Sequence, residues 1–170
     1  MHTLPSRMSR TIALAWTIVL LAGSAGAQAQ PDDKGALGDL KEVKAVYDIT
    51  QSDPSRLLLI LDVIEETRAS LVQQGVTPHL VLTFRGPATV FVSDDVEKIK
   101  PEHRETAAKI AARLKQLRGA PGIDGLEQCN VALRLAGVPR QHVRPEVSVV
   151  GNSWISLMAY QARGYAYIAP

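Results

Sequence analysis

The chain has 170 residues, of which 46% are hydrophobic and 21% charged, with 19 Lys and Arg against 17 Asp and Glu and one cysteine, Cys129. A single cysteine excludes a paired disulfide framework, and the basic residues are not clustered as a nucleic-acid surface requires. The apolar content suits one domain built round one core.

Residues 1–29 read as an export signal. Arg7 and Arg10 form a positive start, and Thr11 to Gly23 (TIALAWTIVLLAG) is apolar over the length of a signal core. Ala25-Gly26-Ala27 and Ala27-Gln28-Ala29 both satisfy the A-x-A cleavage pattern, so the mature chain is expected to begin at Gln28 or Gln30. The competing reading is a retained anchor, but the apolar run falls short of the ~20 residues that span a bilayer, and no later segment could span one. The removed part holds two arginines and no acid, which leaves 17 bases against 17 acids, a neutral mature protein. A periplasmic or secreted location follows, with no stable membrane insertion after cleavage and no nucleic-acid partner.

Residues 30–42 are polar and contain glycine, a flexible leader ahead of a domain over 43–170. Val43 to Ile49 (VKAVYDI) is rich in strand formers and ends at the polar group before Pro54. From Pro54 to Gly75, Leu57, Ile60, Leu61, Ile64 and Leu71 recur at helical spacing, with Asp53 placed to cap the helix, Pro54 in its first turn and Gly75 as its stop. His79 to Phe84 (HLVLTF) is a continuous apolar run suited to a strand covered on both sides. Ala88 to Val92 stays open between a strand and an irregular turn or short helix.

Pro101 to Arg118 keeps helical spacing through Ala107, Ile110, Ala111, Leu114 and Leu117. A short segment from Ile123 to Gln128 leads to Cys129, and Asn130 to Ala136 is helical with Gly137 as its stop. Val147 to Val150 reads as a strand, Trp154 to Arg163 as a helix capped by Asn152 or Ser153, and Tyr165 to Ile168 as a last strand. The alternation of strands and helices predicts a single-domain, three-layer α/β fold with a mostly parallel sheet flanked by helices.

Ligands of such folds bind beyond the carboxyl ends of the strands. There the order of elements gathers Asp48 and Thr50, Arg85 and Gly86, Cys129 and Asn130, and Asn152 and Ser153. Cys129 in an exported protein either joins chains, sits buried and inert, or is a reactive thiol. At a helix start its thiolate would be stabilised by free N–H groups. Trp154 is expected in the core behind a capping Asn152-Ser153 pair. Arg85 is expected as a solvated loop residue that could also hold an anion or steady a thiolate.

Standard catalytic patterns are missing. The chain has no G-x-G-x-x-G, P-loop or G-x-S-x-G, and His79, His103 and His142 lack the spacing of zinc ligands, so neither metal nor organic cofactor is expected. Asp94-Asp95 reads as a turn or cap.

Leu126-Glu127-Gln128-Cys129-Asn130, the stretch Leu133 to Val138, Val147-Ser148-Val149-Val150-Gly151 and Gln161 to Ile168 (QARGYAYI) resemble, in that order, the DsrE/DsrF-like family, and Phe84-Arg85-Gly86-Pro87-Ala88 fits its pattern after the second strand. The resemblance covers nearly all of Val43 to Pro170. It implies a compact α/β subunit that assembles into dimers, trimers or rings, with Cys129 accepting sulfane sulfur as a persulfide and passing it between a donor and an acceptor protein. The expected function is periplasmic sulfur handling, with sulfurtransferase or carrier activity. The alternative is a non-catalytic ligand-binding or assembly module in which Cys129 is structural.

Overall fold

The computed structural model describes residues 31–170 together with the isolated position His2. The expected signal segment therefore lies outside the described residues. Five strands, β1 (Glu42–Ile49), β2 (Thr77–Phe84), β3 (Ile123–Cys129), β4 (Ser148–Val150) and β5 (Ala166–Ile168), form one sheet in the order β4-β3-β2-β1-β5, and every pairing in it is parallel. The expectation of a mostly parallel sheet flanked by helices is met.

The helices between the strands are α2 (Pro54–Gln73), α3 (Arg104–Gly119), α4 (Asn130–Ala136) and α5 (Ser153–Ala162), preceded by a four-residue helix α1 (Lys34–Leu37). The leader was expected to lack structure; instead α1 forms within it, and the Asp33 N–H donates to Gln74 Oε1 at 2.8 Å, tying it to the end of α2. Asp53 caps α2 as its sequence position implies, its carboxylate accepting from Ser55 N–H at 2.8 Å, with Pro54 in the first turn. The open segment after Phe84 resolves as a 3₁₀ helix over Gly86–Val90. A later 3₁₀ turn, Pro101–His103, takes up the expected start of α3.

Period-two alternation divides the sheet between two layers. Ala45, Tyr47 and Ile49 of β1 and Leu80, Leu82 and Phe84 of β2 pack with Leu57, Leu61 and Ile64 of α2 and with Ala107, Ile110, Leu114 and Leu117 of α3 in the main core. Val46 and Val81 point the other way and meet Leu157 of α5, with Tyr160 and Tyr165 beside them. Strands β1 to β4 step in one direction across the sheet, whereas α5 returns the chain so that β5 pairs with β1, Val46 opposite Tyr167. The α5 layer is a single helix. Its outer side leaves Trp154, Ile155 and Met158 more than half exposed.

Candidate functional site

The site forms where β1, β2 and β3 end and α4 and α5 begin. Cys129 is the last residue of β3 and occupies the N-cap position of α4. Behind it, the fully buried Gln128 side chain donates from Nε2 to the Cys129 carbonyl and to Thr89 Oγ1, both at 3.0 Å. Thr89 lies in the 3₁₀ helix after β2, so this amide ties the β2 exit to the β3 exit and holds the cysteine backbone in place. The Cys129 side chain emerges on the α5 face of the sheet.

On that face the sulfur meets the start of α5. Asn152 caps the helix, accepting from Trp154 N–H at 3.0 Å, and the Ser153 N–H donates to Cys129 Sγ at 3.4 Å. Burial pushes the Cys129 thiol up. The Ser153 hydroxyl and N–H, joined by the N–H groups of Ala132 and Val131 in the first turn of α4, more than offset burial and hold the thiol below its ordinary value. Two helix starts therefore converge on one sulfur. Ser153 is fully buried, and its Oγ, without a hydrogen-bond partner among the described residues while the sulfur is a neutral thiol, can donate to the sulfur once that is ionised.

Arg85 extends β2 and turns towards the same place. Its guanidinium grips Asp48 with two hydrogen bonds, Nε to Oδ1 at 2.7 Å and Nη2 to Oδ2 at 2.6 Å. Tyr167 of β5 donates its hydroxyl to Asp48 Oδ2 at 2.7 Å. The Asp48 side chain is 2% exposed and that of Arg85 28%, so a fork-shaped pair is partly withdrawn from water and its charges cancel locally. Arg85, expected as a solvated loop residue, is fixed. The next residue, Gly86, has φ +56°, where a side chain would be strained, and a Cβ there would lie 3.9 Å from Thr50 Cβ.

These elements enclose a pocket of about 460 Å³ lined by Arg85, Gly86, Cys129, Asn152 and Ser153 from the expected set, with Val131, Ala132, Leu135 and Trp154 among its apolar wall. Asp48 lies behind Arg85 and Thr50 beside Gly86, and neither lines the pocket wall. Asn130 does not join them: its Oδ1 accepts from Arg140 Nε at 2.6 Å, and the residue is absent from the pocket wall. Trp154 corrects another expectation. It is 61% exposed instead of core, and it forms the pocket rim with Arg85 Cζ 5.8 Å from its ring centroid, within cation–π range.

Tyr167 and Leu135 were not foreseen. Tyr167 reaches Asp48 only because β5 lies beside β1, a pairing that no local pattern announces. Leu135 is 84% exposed yet faces the pocket, and a lone apolar residue late in a short helix carries no distinguishing signal. Deeper along the same sheet face, Tyr160 of α5 donates to Glu127 Oε1 at 2.7 Å. No group of three His, Cys, Asp or Glu side chains is placed to hold a metal among the described residues.

No family model matches the chain. It is similar to an uncharacterized protein of Aquifex aeolicus (strain VF5), with 29% identity over 126 residues that make up 74% of this chain and 55% of the relative, so the chain spans about half the length of the curated relative it matches. Among solved structures, a protein of unknown function from Methanobacterium thermoautotrophicum is similar with a TM-score of 0.55 and 21% identity, over 75% of this chain and 99% of that one. That likeness speaks for the α/β fold alone.

Proposed function

We propose that this chain is an exported, DsrE-like sulfur-handling protein that accepts sulfane sulfur on Cys129 and relays it as a persulfide. The observation that carries the reading is a thiol at the N-cap of α4 that accepts from Ser153 N–H at 3.4 Å, at the wall of a pocket. A thiolate, not a thiol, attacks sulfur.

The step balances without an outside oxidant. The Cys129 thiolate attacks the terminal sulfur of a donor persulfide, R–S–SH. A bond forms between Sγ and that sulfur while the donor S–S bond breaks and its electron pair leaves with the donor thiolate. The proton on the transferred sulfur stays with it. Delivery to an acceptor thiolate is the same exchange in reverse, and it calls for neither a metal nor an organic cofactor. Copies of the chain associate in this reading, supported by the apolar outer side of α5.

Mass spectrometry of the intact native protein after exposure to inorganic polysulfide tests it. One added sulfur on the wild type, lost in Cys129→Ser, is the expected result. One observation favours the second reading, a binding module with a structural cysteine: Cys129 is only 4% exposed. That reading takes over if the folded protein acquires no sulfur and its thiol alkylates only after denaturation.

A further inference from the structure

Resting on the carrier reading, and naming its donor, we propose that the pocket beside Cys129 selects a small organic persulfide whose organic group is apolar and uncharged over donors that carry additional anionic groups. Three features of the pocket carry this. Its wall beside the sulfur is hydrocarbon, from Pro87, Val131, Ala132, Leu135 and the indole of Trp154. Burying an apolar group against such a surface is favourable, whereas a carboxylate or sulfonate placed there loses its hydration without return.

The second feature concerns charge. Arg85 is the one charged side chain lining the pocket among the described residues, and the Nε–Nη2 edge of its guanidinium is engaged by the buried Asp48 carboxylate, which neutralises its charge. The pair offers no net positive charge to an anion. An ionised Cys129 adds a negative charge at the pocket wall, which repels additional anionic groups on a donor.

The third feature is depth. Cys129 is nearly covered, and the cavity of about 460 Å³ matches a small molecule in size, so the donor best suited to reach Sγ is one that enters whole. The unpartnered Ser153 hydroxyl is buried at the same wall. It needs a hydrogen-bond partner, and the terminal sulfur of the incoming persulfide, or the persulfide newly formed on Cys129, supplies a weak acceptor there. The organic group of the donor then occupies the hydrocarbon wall while the chemistry proceeds as written above, and the apolar thiolate that leaves takes up a proton from water as it exits.

The test uses the whole protein with three donors: benzyl persulfide, glutathione persulfide and inorganic polysulfide, with loading of Cys129 followed by intact mass. Benzyl persulfide should load at least about tenfold faster than glutathione persulfide at equal concentration, as expected when a charged group must enter an apolar pocket. Leu135→Asp, at a position 84% exposed and so without consequence for folding, should bring the two rates together. Equal rates on the wild type, or faster loading from glutathione persulfide, overturn the selectivity and leave the carrier reading standing, because Cys129 has been loaded. If no donor loads Cys129, the carrier reading fails. Calorimetric titration with phenylmethanethiol and with glutathione then decides the rest: binding of the first alone, weakened in Leu135→Asp, upholds an apolar ligand class for the pocket, and binding of neither overturns it.

Discussion

At the residue scale, Cys129 is set apart by what surrounds its sulfur. A free thiol ionises near pH 8.5; here Ser153 and the N–H groups of Ala132 and Val131 outweigh burial and lower that value. Alkylation of native protein followed against pH should therefore show a midpoint below that of the same thiol in the unfolded chain. A midpoint above it would mean that burial wins. Ser153→Ala removes the hydroxyl and should move the midpoint up while leaving the fold intact, since that Oγ makes no hydrogen bond that the fold would lose. The sign for stability follows from the same groups. A thiol whose value is depressed in the folded state contributes stability above its unfolded value, and that contribution is lost as pH falls through the folded value. The stability difference between wild type and Cys129→Ala, measured in urea, should accordingly grow as pH rises from about 7 to about 9. Cys129 and Ser153 were legible as site residues because each stands where a strand run gives way to a helical one. The Arg85–Asp48–Tyr167 cluster was only half legible, since its third member arrives from the far end of the chain.

Elements carry two further predictions. Gly122 leads into β3 with φ +90°, and a Cβ there would lie 2.5 Å from Pro78 Cγ and 2.9 Å from Pro78 O at the start of β2. Its carbonyl also accepts from Leu80 N–H at 2.8 Å, which aligns the two strands. Gly122→Ala should therefore cost about 2 kcal/mol or more, combining backbone strain with a clash against a rigid ring, as read from the midpoint of urea unfolding. A loss under about 0.5 kcal/mol, the range of ordinary surface changes, would contradict this. In the α5 layer, burial and the hydrogen bond to Glu127 push the Tyr160 phenol up to about 12. The fold prefers its neutral form, so its contribution is complete below the unfolded value of about 10 and is lost as pH rises beyond it. Tyr160→Phe should cost about 1 kcal/mol near neutrality. The cost should shrink at alkaline pH. A cost that did not change with pH would assign the tyrosine to packing alone.

For the whole molecule, the uneven covering of the sheet matters most. The α2 and α3 side is closed by a large core, whereas the α5 side has a small one and leaves Trp154, Ile155 and Met158 exposed along the helix. Self-association through this face should appear in light scattering at micromolar concentration, persist in reducing agent because Cys129 is buried, and weaken in Met158→Glu. A monomer under all conditions would remove the claim. Export gives a separate expectation: protein recovered after secretion should begin at Gln28 or Gln30, and a chain beginning at Met1 and held in membrane would reject cleavage. Among the described residues no helix is long and apolar enough to cross a membrane.

Local signals determined much of this protein. The cap at Asp53, the proline after it and the apolar period of α2 are sufficient to start and orient a helix, and the continuous apolar run of β2 announces a strand covered on both faces, because each depends on neighbours within a few residues. The alternating order of strands and helices then implied the α/β class. Tertiary structure alone decided which strand ends met. The return of α5 to pair β5 with β1 brought Tyr167 to Asp48, exposed Trp154 at the pocket rim and laid Ser153 against Cys129. Such contacts join residues as much as 119 positions apart, and their partners are chosen by how the layers close over the sheet, a competition among buried surfaces that no short stretch of sequence contains.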